Sequence, residues 1–237
     1  MTALNLESTW RTEDGARLAA TVWRAGAGRR AISSAMVGGG LGPVHWVLNA
    51  QVPGGYSRTD PVAHLDELAA SHGLDGRGVG MLTAAAVERT VRGADGGVEV
   101  AATVGLRVPT WAAAPEGAPD PELAPMRLDD LPRPRGEAAW RPGTINVLAV
   151  VPVPLTDAAL VNAVVTVTEA KTQALLEAGF PCTGTASDAV CVAVPEAGTP
   201  EPFAGPRSVW GARLARAVHQ AVHAGALGYG ALPAELR

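Results

Sequence analysis

Between Gly143 and Asp188 the chain concentrates residues that can hold, donate or accept protons. Thr166-Val-Thr-Glu-Ala-Lys-Thr172 sets three threonines, a carboxylate and the sole lysine of the protein into seven residues of an otherwise apolar stretch. Threonine is a mediocre helix former, so these residues are not there for helix propensity. Glu169 and Lys171 stand two apart and point to different sides of a helix, which excludes a simple surface ion pair. Pro142-Gly-Thr-Ile-Asn146 places Thr144 and Asn146 on one face of a strand. Thr183-Gly-Thr-Ala-Ser-Asp188 is a small-residue turn that delivers Asp188 to the next strand, and Gly184 permits close approach to the backbone. Amide, hydroxyl, carboxylate and ammonium groups thus gather near the ends of adjacent elements. A helix emerging into solvent, flanked by ordinary Gly-Thr turns, is the alternative for the same residues.

Familiar catalytic devices are absent from the sequence: there is no Gly-x-Ser-x-Gly elbow and no His-Glu-x-x-His helix. Cys182 has no obvious histidine partner, and Cys182 and Cys191 read as two buried, reduced thiols. His219 and His223 are spaced i, i+4 as two metal ligands would be, but they flank the apolar pattern of the last helix and read as a solvated face. No metal is assigned.

The elements that must position these groups follow from the pattern. Gly143 to Pro152 is a continuous apolar strand, as expected where both faces are covered. Thr156 or Asp157 caps a helix from about 157 to Ala178, with Gly179 following it. Leu160, Val164, Val167 and Lys171 share one stripe of that helix. Asp188 to Val194 is a second buried strand, so strand, helix and strand form a crossover unit. Upstream, residues 17–23 and 30–36 read as strands joined by Ala25-Gly-Ala-Gly28, and Val44–Asn49 as a further strand. Asp60-Pro61 opens a helix closed by Gly73; Val98 to Leu106 is a strand; Ser208 to about Ala224 is a final helix. From 113 to 139, Pro, Glu, Asp and Ala dominate without a period, predicting a surface loop between strands of one sheet. The fold class expected is α/β, one domain over 1–237 with a mixed sheet flanked by helices.

Composition excludes several classes. A formal net charge of −4 argues against nucleic acid as a partner. No apolar run approaches the ~20 residues of a membrane span, and Met1 to Glu7 lacks the features of a signal peptide. The expectation is a soluble, cytoplasmic protein that is not bound to a membrane; its oligomeric state is not legible.

With these residues in view, the sequence resembles the adenosylcobinamide amidohydrolases. The matching stretches are Ser33-Ser-Ala35 with Gly38-Gly-Gly40, then Asn49, and Tyr56 with Asp60-Pro61. They continue through Gly80-Met-Leu-Thr-Ala-Ala85, Pro142 to Asn146, Thr166 to Thr172, and Thr183 to Asp188. Ser187 and Val167 stand where the family pattern has Thr and Ala, and Leu106-Arg-Val-Pro-Thr-Trp111 replaces an expected Gly- or Asn-containing turn. The resemblance implies a corrinoid substrate, no cofactor, and hydrolysis of the aminopropanol amide of adenosylcobinamide to adenosylcobyric acid in corrinoid salvage. A corrinoid-binding module without catalysis, or an amidase for another amide, are the alternatives. For amide hydrolysis, Glu169 or Asp188 is the expected base, on water or a threonine, with Lys171 as electrostatic stabiliser or proton donor to the amine. A threonine or serine nucleophile with Lys171 as base is the competing scheme. Thr144, Asn146, Thr168 and Thr185 are the expected hydrogen-bonding groups. Gly39 and Asn49, with Trp46 and Tyr56, are expected to line the corrin pocket, and the 113–139 loop to act as its lid.

Overall fold

The computed structural model describes residues 4–54, 56–114 and 143–232. Apart from Ala113 and Ala114, the expected Pro-rich loop and lid lie outside the described residues, as does Pro142. The described chain is α/β and mixed, as its pattern implied, but its strands divide between two principal sheets.

The first sheet has the order β1-β2-β5-β6, formed by Leu6–Glu13, Ala16–Arg24, Trp46–Gln51 and Val79–Thr83. The second has the order β4-β3-β12-β10-β8-β7 and draws on Gly40–Pro43, Arg29–Ser33, Ala189–Pro195, Ile145–Val150, Val98–Val104 and Val91–Asp95. A two-stranded ribbon pairs β9 (Pro109–Thr110) with β11 (Gly184–Thr185). Helix α1 is Pro61–Ser71, α2 is Asp157–Glu177 and α3 is Val209–Gly230.

The packing builds four layers. Leu65, Leu68 and Ala69 of α1 close over one face of the first sheet, with Val22, Leu48 and Ala50. The other face of that sheet brings Trp23, Val47 and Met81 against Ala101, Leu148, Cys191 and Ala193 of the second. Helices α2 and α3 cover the far side of the second sheet. On α2, Leu160, Val167 and Leu175 are fully buried, each stabilising by about 1.5–3 kcal/mol relative to exposure.

Strand parity decides what each side chain meets. In β10, Ile145, Val147 and Ala149 point toward the helices, whereas Leu148 and Val150 point between the sheets. In β12, Val190, Val192 and Val194 face the helices, and Cys191 and Ala193 the sheet interface. Asn146 therefore lies between the sheets, and Asp188 falls on the helix side. β10 and β12 run parallel with α2 as crossover, as the strand–helix–strand pattern required.

The strand expected at 17–23 exists and that expected at 30–36 is realised as Arg29–Ser33, without residues 34–36; the two belong to different sheets, so the glycine turn between them changes layers. Six of the described strands, β1, β4, β6, β7, β9 and β11, were not read as strands from the sequence. β1 is an edge strand with one open face, joined to β2 through Asp14-Gly15, both at positive φ (49° and 76°) as a tight hairpin requires. β7 is likewise an edge strand, turned into β8 at Gly96-Gly97.

Candidate active site

Helix α2 starts on Thr156, whose side chain accepts from the Ala159 amide. From that start the Leu160–Val164–Val167–Lys171 stripe faces inward, and Lys171 ends 7% exposed. Its Nζ donates to Asp188 Oδ2, in an ion pair whose side chains are 8% and 10% exposed. The same carboxylate accepts from the Ile145 amide (2.9 Å), the Thr185 amide (3.1 Å) and the Thr185 hydroxyl. Asp188 thus ties the first residue of β10, the turn before β12 and the middle of α2 into one cluster. Four donors fill its lone-pair directions, three of them neutral and one cationic. Hydrogen bonds to an ionised acceptor are the stronger kind, so this carboxylate fixes the geometry of the elements it joins.

Gly184 makes the cluster possible. A Cβ there would overlap both Asp188 Oδ2 and Lys171 Nζ. The close approach read from the sequence is therefore made by the ion pair itself. Thr110, in the segment where the family pattern has a different turn, pairs with Gly184, and its carbonyl accepts from the Thr183 amide (3.0 Å) and hydroxyl (3.1 Å).

One residue earlier on each strand, Thr144 Oγ1 and Ser187 Oγ lie 2.9 Å apart. Together with Asp188 they line a cavity of about 420 Å³ at the ends of the two sheets. Ser34, Thr83, Tyr56 and the half-exposed Met36 (55%) supply further walls. Thr83 Oγ1 accepts from the Ala85 amide at 3.0 Å, and Ser34 Oγ from the Val190 amide at 3.0 Å.

The structure brings Thr144, Thr185, Lys171 and Asp188 together and leaves other expected residues apart. Thr168 and Glu169 are exposed on the outer face of α2, and Thr168 Oγ1 donates back to the Val164 carbonyl (2.9 Å). Thr166 donates to the Ala204 carbonyl at 2.8 Å and Thr172 to the Thr183 carbonyl at 3.3 Å, so both anchor α2. Asn49 and Asn146 are 7% and 2% exposed and bond each other between the sheets (2.8 Å), away from the cavity. Asn49 also donates to Thr103 at 2.8 Å and Asn146 to the Leu82 carbonyl at 3.2 Å. Gly39 sits in an exposed turn where its carbonyl accepts from Arg77 (3.2 Å), and Trp46 packs in the core over Gly78. Neither lines the cavity; Tyr56 does. Ser187 and Thr83 were missed as site residues, although both lie inside the matched motifs.

Burial raises the Cys182 thiol and pushes Cys191 up to about 12, so neither offers a thiolate near neutrality. His219 Nε2 lies 2.7 Å from Glu177 Oε2 on the outer faces of α3 and α2, stacked on His223. Among the described residues no helix is long and apolar enough to cross a membrane.

Residues 5–234 match the family model of the adenosylcobinamide amidohydrolases. A Halobacterium salinarum protein named adenosylcobinamide amidohydrolase is 41% identical over 117 residues, 49% of this chain and 49% of that protein. One of the same name from Methanosarcina mazei is 29% identical over 196 residues, 79% of this chain and 85% of that protein. The aligned chain thus spans about half of the first relative and most of the second. A solved Pyrococcus horikoshii OT3 protein covers 90% of this chain and 77% of its own at 13% identity, with a TM-score of 0.41. That likeness is too loose to build on.

Proposed function

The chain belongs to the adenosylcobinamide amidohydrolase family, and from that premise we propose that it hydrolyses the amide joining aminopropanol to the corrin side chain of adenosylcobinamide. The products are adenosylcobyric acid and 1-amino-2-propanol, and the setting is salvage of incomplete corrinoids in the cytoplasm by a single-domain enzyme. The observation that supports this is the convergence of Thr144, Ser187 and Asp188 on the lining of the 420 Å³ cavity, with Lys171 paired to Asp188 behind it. That volume lies within the 300–1,000 Å³ range of sites for drug-sized ligands. An adenosylated corrin is far larger, so the amide-bearing arm enters while the macrocycle rests at the mouth, beside exposed Met36.

In this scheme an oxygen nucleophile adds to the amide carbon and the C–N bond then breaks, the amine leaving with a proton. The Thr144–Ser187 hydroxyl pair holds the scissile carbonyl or supplies the attacking oxygen. One hydroxyl donates to the other, which leaves the second proton free to aim into the cavity. The Lys171 ammonium supplies positive potential near the developing oxyanion. Asp188 holds Lys171 and the Thr185–Ser187 turn in position.

Kinetics of Thr144→Val and Ser187→Ala on adenosylcobinamide test the assignment. The expected result is a kcat loss of about a hundredfold or more in at least one of them, the scale for removing a transition-state contact. Wild-type turnover in both would remove the hydroxyl pair from the reaction.

A further inference from the structure

The cavity that holds the hydroxyl pair is also lined by Tyr56, and behind it stand groups that the family motifs do not explain. Tyr56 Oη lies 3.0 Å from His64 Nδ1, and His64 Nε2 lies 3.4 Å from Glu13 Oε1. His64 is 3% exposed, on the inner face of α1 among leucines, where a histidine needs partners for both ring nitrogens. Glu13 presents Oε1 to it because Arg11 occupies Oε2 at 2.6 Å. The three residues come from β1, the segment before α1, and α1 itself.

We infer that Tyr56, His64 and Glu13 form the proton shuttle of this site, with the Tyr56 oxygen as the atom that meets the substrate. The inference rests on the amidohydrolase reading above. With Nε2–H turned to the Glu13 carboxylate, the Nδ1 lone pair receives the Tyr56 O–H. As the nucleophile attacks, its proton passes to the Tyr56 oxygen while the phenolic proton moves to His64 Nδ1. The resulting imidazolium faces Glu13. When the tetrahedral adduct collapses, Nδ1 returns its proton to the Tyr56 oxygen, the phenolic proton passes to the nitrogen, and the C–N bond breaks. With water as the nucleophile, one pass completes the hydrolysis with no proton gained or lost; with a hydroxyl of the pair, the same relay runs a second time as water cleaves the resulting ester. A third group that orients the base and stabilises its cation is the logic of acid–base triads generally.

Two features support this arrangement. Burial raises the Tyr56 phenol, with Asp60, Glu13 and Glu67 adding to the shift and Arg58 opposing it, so the phenol is protonated at rest near neutrality. Arg58, whose charge opposes the rise of the Tyr56 phenol, is engaged by Asp60 and Glu67 at 2.8 Å each.

The test compares Tyr56→Phe, His64→Gln and Glu13→Gln with wild type on adenosylcobinamide across pH. Tyr56→Phe and His64→Gln are expected to lose kcat by about a hundredfold or more with little change in KM. Glu13→Gln should lose less, because it keeps the ring's partner and removes only the charge. The acid limb of the wild-type kcat/KM profile should vanish in His64→Gln, a readout that a packing role would not move. Tyr56→Phe turning over within about threefold of wild type, well under the range for a lost acid–base group, or an acid limb that survives in His64→Gln, overturns the shuttle. Those outcomes leave the amidohydrolase reading standing, whereas a wild-type protein that releases no amine rejects both.

Discussion

Replacing Lys171 by methionine tests the link between packing and chemistry at the site. The substitution keeps most of the side chain's apolar volume and removes its charge. It leaves Asp188, whose side chain is 10% exposed, with three neutral donors and no cation. Breaking a buried pair by removing one partner costs about 3–5 kcal/mol, because the remaining charge stays desolvated and uncompensated. Three donors remain on Asp188, so the expected loss is at the lower end, about 3 kcal/mol. Urea unfolding followed by circular dichroism at neutral pH reads it as a fall in the midpoint at constant m. Asp188→Asn should cost a similar amount, since it strands the ammonium and misplaces one donor. The double variant carries neither charge, so its loss should fall short of the sum of the two single losses by more than about 1 kcal/mol. Additive losses, or a Lys171→Met cost below about 1 kcal/mol, would show a solvent-screened pair and refute the reasoning.

Gly184→Ala should disturb the same cluster from the backbone side, because its Cβ overlaps both members of the pair. The expected cost is about 1–3 kcal/mol, as for overpacking, together with loss of turnover; wild-type melting and kinetics would contradict the packing described. The Cys191 thiol, raised from 9.0 to about 12, gives a pH signature. Between those values the unfolded chain has released its proton and the folded chain has not, so stability is full below pH 9 and falls as pH rises through this window. The slope is about 1.4 kcal/mol per pH unit. Cys191→Ala should flatten that part of the unfolding-midpoint curve, and an unchanged slope would count against it. Iodoacetamide at pH 8 should label Cys182 and Cys191 only after denaturant is added, and rapid native labelling would contradict their burial.

Much of the site was legible because its elements carry strong periods. The unbroken apolar run of β10 announced a strand covered on both faces, and the α2 stripe put Lys171 inward with Leu160 and Val167. The same helix geometry explains Glu169: two positions from Lys171, it turns outward into solvent. Periodicity says which face of a strand is buried but not which sheet it joins, so the division into two stacked sheets stayed hidden. It also could not show that Asn49 and Asn146 meet between those sheets rather than in the cavity. β1 and β7 escaped notice as edge strands whose open faces dilute the alternation. Tyr56, His64 and Glu13 were invisible as a group because they come from separate elements. In α1, His64 reads as one more polar residue on an amphipathic helix, and only the hairpin of β1 against β2 brings Glu13 to it.

The most direct test of the proposed chemistry is incubation of the protein with adenosylcobinamide in water enriched in oxygen-18, with both products followed by mass spectrometry. The predicted result is adenosylcobyric acid carrying one heavy oxygen in its new carboxylate, with an equal amount of free 1-amino-2-propanol. Intact adenosylcobinamide after prolonged incubation, or amine released without the label entering the carboxylate, would contradict it.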